Sequence, residues 1–248
     1  GERREVETGI SLGIQAAPAA LVERALAARE AGYRKVKLKI EPGADLAFVR
    51  AVREALGAEA PLAVDANSAY TPEDLAVLEA LDELGLLMIE QPLDWTDLVR
   101  HAELQRRLAT PICLDESITG LDRAEDMLTL GAGRVVNIKP GRVAGYSASR
   151  AIHDLCRSRE VPVWCGGMLE SGIGRAYNVA LASLAGFTLP GDLSPSARYW
   201  AEDIVEPEWT MSPEGRVNVP FDRPGIGVTV REPRLAELTV RERVLRPE

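Results

Sequence analysis

Five charged residues recur along this chain, and each lies at or near the end of a short apolar run. They are Lys39 in RKVKLKI (34–40), Asp65 in LAVDA (62–66), Glu90 in LLMIE (86–90), Asp115 in ICLDE (112–116) and Lys139 in RVVNIK (134–139). The separations are 26, 25, 25 and 24 residues. Gathering three buried carboxylates is costly unless a cation neutralises them. Three oxygen donors without histidine or cysteine point to a hard ion, Mg²⁺ or Mn²⁺ in its place. The competing reading is that each acid caps a helix or pairs with an arginine. That suits one acid alone better than three in register.

The lysines sharpen the pattern. Only Lys35, Lys37, Lys39 and Lys139 are lysine among 29 basic residues. Arginine keeps its proton at any useful pH, whereas lysine becomes a base when burial and neighbouring cations lower its pKa. Lys37 and Lys39 alternate with Val36 and Leu38, which predicts that both face the interior. Lys35, at the start of the run, is expected on the surface.

These residues need a frame that brings run ends together. Further β-rich runs are ETGISLGI (7–14), VPVWC (161–165) and GFTLP (186–190). Between the runs, apolar residues at helical spacing predict helices over 19–31, 44–56, 72–84, 95–108, 121–131, 145–158 and 171–184. Thr71-Pro72 reads as a cap followed by proline at the first helical position. Gly32, Gly57, Gly85 and Gly131 fall just past predicted helix ends.

Alternating strands and helices imply a parallel sheet with helical crossovers. Seven or eight such units predict a TIM-like (β/α)7β barrel over residues 1–199, whose strand C-termini open on one mouth. A doubly wound sheet is disfavoured, because SLGIQAAP (11–18) carries no glycine-rich phosphate loop. Residues 200–248 read as a tail packing on the barrel within the same domain, with a strand pair near VNVP (217–220) and IGVTV (226–230).

The formal charge of -9 and pI near 5.0 argue against nucleic acid, which needs a basic face. No run reaches membrane-spanning length, and the N-terminus carries no signal-peptide core. Cys113, Cys156 and Cys165 lack metal-ligand spacing and are expected as buried free thiols, which suits a reducing cytoplasm. His101 and His153 sit in helical stretches and are expected in structural roles.

With KLKIEPG (37–43), DANSAY (65–70), EQP (90–92), DES (115–117) and IKPGR (138–142) in order, the chain resembles the enolase superfamily, in its muconate-lactonizing-like subgroup. ISLGI (10–14), CGGMLESGIGRA (165–176) and PGDLS (190–194) resemble the N-acylamino acid racemase and o-succinylbenzoate synthase branch. The resemblance implies Asp65, Glu90 and Asp115 as metal ligands and Lys39 and Lys139 as acid/base groups on opposite faces of the substrate. It further implies that Lys37 holds the substrate carboxylate or tunes Lys39, and that Ser11, Asn67, Gly167 and Met168 line the substrate pocket. The implied reaction removes a proton next to a carboxylate through an ene-diolate, the known pattern in this superfamily. Racemisation and elimination use the same five residues and both stay open, as does another epimerase or cycloisomerase of the superfamily.

Two branches are weakened. VPVWCGG offers no histidine base, as a mandelate-racemase-like enzyme would need. Asp192-Leu193-Ser194 replaces the Asp-x-Asp of dipeptide epimerases, so a small N-acylated or succinyl carboxylate is the expected partner. Ala144 stands where the family often has glycine. Family members carry an N-terminal α+β capping domain, and this chain opens almost directly on the first barrel strand. The expectations are therefore an excised or engineered barrel, the alternative function being a catalytically silent metal-binding scaffold, or a cap supplied in trans; the apolar surface left uncovered favours a homo-oligomer.

Overall fold

The computed structural model describes residues 2–244. The chain runs β1 (Glu5–Glu7), β2 (Gly9–Leu12), α1 (Pro18–Glu30), β3 (Lys35–Lys39), α2 (Leu46–Leu56), β4 (Leu62–Asp65), α3 (Leu75–Asp82) and β5 (Ile89–Glu90). It continues with α4 (Leu98–Arg107), β6 (Ile112–Leu114), α5 (Leu121–Leu130), β7 (Val135–Ile138), α6 (Tyr146–Ser158), β8 (Val163–Cys165) and α7 (Gly172–Ala182). Last come β9 (Val205–Glu206), β10 (Arg216–Asn218), β11 (Thr229–Val230) and α8 (Glu232–Leu238).

Strands β2 to β8 form one curled parallel sheet in chain order. Both faces of its strands are covered, so residues of both phases are buried; on β3, Lys35, Val36, Lys37 and Leu38 all are. The helices pack their apolar stripes outside the sheet. On α1 the stripe is Leu21, Ala25 and Ala28, spaced as one helical face requires. Thr71 and Asp74 form a reciprocal capping box ahead of α3. Gly131 ends α5 at φ 66°, the left-handed turn that glycine adopts without strain.

Residues 187–192 join the two sheet edges. Phe187 bridges Val163 of β8, and Gly191 bridges Thr8 beside β2. The Gly9 N–H donates to the Gly191 carbonyl at 2.7 Å, and the Asp192 N–H donates to Cys165 at 2.9 Å. The eighth run expected at 186–190 thus occupies the closing slot without forming a regular strand. Its Pro190 lacks a ladder N–H and Gly191 carries no packing side chain.

The expected pairing of the last two β-runs is wrong. β10 pairs with β1 and β11 with β9, both antiparallel. Val217 sits opposite Val6, and both side chains are buried there. Among the described residues, no helix is long and apolar enough to cross a membrane.

Candidate active site

Alternation along the strands sorts the barrel interior into two levels. The lower is Ala63, Met88, Cys113, Val135 and Trp164, a closed apolar cluster. Two residues further along the same strands come Asp65, Glu90, Asp115, Asn137 and Gly166, at the strand C-termini. Strand register fixes the neighbours: Ser11 lies beside Lys37, Lys39 beside Asp65, and Asp65 beside Glu90. With the closing segment counted as a slot, β3 and β7 are four positions apart in a ring of eight. Lys39 and Lys139 therefore stand across the mouth from each other.

Each buried acid of the mouth meets a cation. Lys39 Nζ donates to Asp65 Oδ2 at 2.7 Å, and Lys139 Nζ donates to Asp115 Oδ2 at 2.8 Å. Lys37 Nζ reaches Glu90 at 2.7 Å, Asp192 at 3.1 Å and Asp65 at 3.2 Å. Burial alone would lower the Lys37 pKa, but Asp192, Glu90 and Asp65 outweigh it and hold the ammonium well above the ordinary lysine range. Lys139 is raised against the same burial cost, by Asp115 and Glu90. The Glu90 carboxyl is pushed up to about 8 by burial and then by Asp65, against the pull of Lys37. Asp65 goes the other way, its burial overcome by Lys37 and Lys39.

Three buried carboxylates at the ends of neighbouring strands, Asp65, Glu90 and Asp115, are the observation that fits a hard divalent ion. As placed, the acids are turned onto lysines, and no set of three acidic, histidine or cysteine side chains among the described residues is arranged to hold a metal. An ion bound by Asp65, Glu90 and Asp115 would have to displace ammonium groups from them.

Several contacts at the site were given no role in the sequence reading. Asn137 Nδ2 donates to Glu90 Oε1 at 2.7 Å; its signal was its inward phase, two residues before Lys139. Arg142 pairs with Asp115, and Asp192 binds Lys37. Gln91 Oε1 accepts from the N–H groups of Asp115 and Ser117 at 3.0 and 3.1 Å, tying the turn after β5 to the turn after β6. His101 supports the same turn: Nε2 accepts from the Leu93 N–H and Nδ1–H donates to the Asp97 carbonyl, which fixes the neutral tautomer.

Lys35 corrects the reading of a surface residue: it is fully buried, with Trp164 and the closing segment above it. Asn67 accepts from Lys39 and donates to Glu116 at 2.7 Å, which places it at the mouth. Ser11 also faces the mouth level, its hydroxyl without a hydrogen-bond partner. Met168 and Lys139 line one cavity of about 450 Å³ together with Pro140, Tyr146 and Tyr177. Gly167 lies against the Asp192 carbonyl, where a Cβ would clash. Ala144 sits at φ 62°, a left-handed conformation that explains why glycine suits this position. His101, His153 and all three cysteines are buried, and the cysteines are free thiols.

Relatives carry the assignment further. An N-succinylamino acid racemase of Thermus thermophilus is 51% identical over 248 residues, covering 99% of this chain and 66% of its own length. An o-succinylbenzoate synthase of Geobacillus stearothermophilus is 52% identical over 233 residues, covering 93% of this chain and 60% of its own length. The crystal structure of an enolase-superfamily member from Listeria innocua superposes with a TM-score of 0.91 at 43% identity, over 95% of this chain and 62% of that one. The chain thus spans under two thirds of the length of these relatives. The enolase C-terminal domain-like family matches residues 20–234, and the chain belongs to that family, within the enolase superfamily.

Proposed function

We propose that this chain removes a proton next to a substrate carboxylate, as the catalytic part of a racemase or o-succinylbenzoate-forming lyase. The carrying observation is the placement of Lys39 and Lys139 on opposite sides of one mouth, each anchored on a buried acid. Two such lysines serve inversion, one withdrawing the proton and the other delivering one to the opposite face. They also serve elimination, with one as base and the other as a fixed cation. Lys37 reads the substrate carboxylate or sets the charge felt by Lys39. Ser11, Asn67, Gly167 and Met168 border the bound substrate, an N-succinylamino acid or a related succinyl carboxylate.

Asp65, Glu90 and Asp115 would hold Mg²⁺ or Mn²⁺. When bound, that ion supplies the positive charge an ene-diolate needs. We read residues 1–199 as the barrel and 200–248 as its tail, with 1 and 245–248 lying outside the described residues. A capping domain, when present, would close the mouth.

A metal-binding barrel without turnover is the second reading. It is favoured by the openness of the mouth: the Lys39 side chain is 32% exposed and Met168 is 56% exposed. Closing a site against water strengthens its electrostatics and guards the intermediate. The test is exchange of the α-proton of N-succinyl amino acids in D₂O, followed by NMR with Mg²⁺ or Mn²⁺ added. Metal-dependent exchange is the expected result. Metal binding without exchange would leave the scaffold reading, and no metal binding would remove the three-acid assignment.

A further inference from the structure

Lys35 is a fully buried charged side chain that the proposed chemistry does not use. Lysine is almost never fully buried unless paired, and a methionine would fill similar volume without the desolvation cost. The fold nevertheless accommodates this residue from three sides. Gly9 on the adjoining strand leaves it room, since a Cβ there would lie 2.7 Å from Lys35 Cε. Trp164 presents its ring face, with Nζ 3.5 Å from the centroid, a contact that strengthens when both groups are dry. Asp192 Oδ1 lies 3.7 Å from Nζ. Neither that oxygen nor Lys35 Nζ has a hydrogen-bond partner among the described residues, so the two face each other.

Asp192 has a second duty. Its Oδ2 lies 3.1 Å from Lys37 Nζ, the ammonium that also holds Glu90 and Asp65. One carboxylate from the closing segment is therefore shared by two lysines two residues apart on β3. Without the charge of Lys35, the whole attraction of Asp192 would fall on Lys37. It would draw that ammonium toward the closing segment and away from Glu90.

We propose that Lys35 is a positioning residue: by holding Asp192 from below, it keeps Lys37 on Glu90 and Asp65 at the level where the substrate carboxylate is read. Its consequence for turnover rests on the function proposed above; its geometry does not.

Because the chain has four lysines, a carbon-13 label at lysine Cε gives four NMR signals, assignable by single Lys→Arg replacements. In Lys35→Met the Lys37 signal is expected to move while that of Lys139 stays. In Lys35→Arg it returns toward its original position. In parallel, kcat/KM for an N-succinyl amino acid falls about tenfold in Lys35→Met and recovers in Lys35→Arg. An unmoved Lys37 signal in folded Lys35→Met overturns the proposal, whether or not the chain turns over. Absence of turnover in the unaltered chain counts against the functional reading alone and leaves the NMR shift to decide this one. Should Lys35→Met not fold, Asp192→Asn replaces it. The Lys35 and Lys37 signals then move together, and movement of Lys37 alone overturns the proposal.

Discussion

Two levels of the barrel interior, two residues apart on the same strands, have opposite chemistry. The floor of Ala63, Met88, Cys113, Val135 and Trp164 is closed and apolar. At the mouth, Asp65, Glu90, Asp115 and Lys37 are as buried yet densely charged, while Lys39 reaches solvent. Apolar burial contributes stability roughly in proportion to area, whereas buried ion pairs recover little beyond their desolvation cost. The floor thus supports a mouth that contributes little to folding. Position along a strand decides which role an inward residue takes, because only the strand C-termini open on the loops that admit a substrate.

The largest expected effect belongs to the mouth. Lys139→Ala should lower α-proton exchange by about 10²–10⁴-fold, the usual share of a general acid or base. Its urea midpoint should change little, because Asp115 keeps Arg142 as a partner. A variant that loses stability and activity in proportion would erase the distinction between the levels.

Trp164→Ala probes the floor and should cost about 3–5 kcal/mol in urea unfolding, as large core truncations do. It also removes the ring face that Lys35 Nζ lies against. A loss below about 1 kcal/mol would show that the floor is not what carries the barrel.

Gly166→Ala sharpens the boundary between the levels, with an effect on folding smaller than that of Trp164→Ala. A Cβ there would lie 2.6 Å from Lys139 Cε and would also collide with Asn137 Oδ1. Overpacking of this kind costs about 1–3 kcal/mol. Because the displaced group is Lys139, exchange should fall by more than the stability loss accounts for. Activity that simply tracks the folded fraction would mean Lys139 has room to spare.

Much of this was legible in order and spacing. A period of two inside one apolar run pointed Lys37 and Lys39 inward, and the interval near 25 residues made Lys39, Asp65, Glu90, Asp115 and Lys139 the ends of successive strand-helix units. Lys35 shares that inward phase, yet its burial depended on Trp164, Gly9 and Asp192, which come from distant strands. The same limit hid Asn137 on Glu90 and Arg142 on Asp115. Those contacts span 47 and 27 residues of sequence, and no local pattern marks them. The tail pairings failed for a related reason: β10 is fixed by burial against β1, more than 200 residues away in the chain.

The sequence by itself determined the parallel sheet, the helices that cover it and the charged character of its mouth. Those follow from local periodicity and from where charges interrupt apolar runs. Only the tertiary structure decided which cation each acid meets, how residues 187–192 join the sheet edges, and that a lysine lies buried under the site. The energies that settle those choices, desolvation and ion pairing, depend on distances between strands that spacing along one chain does not contain.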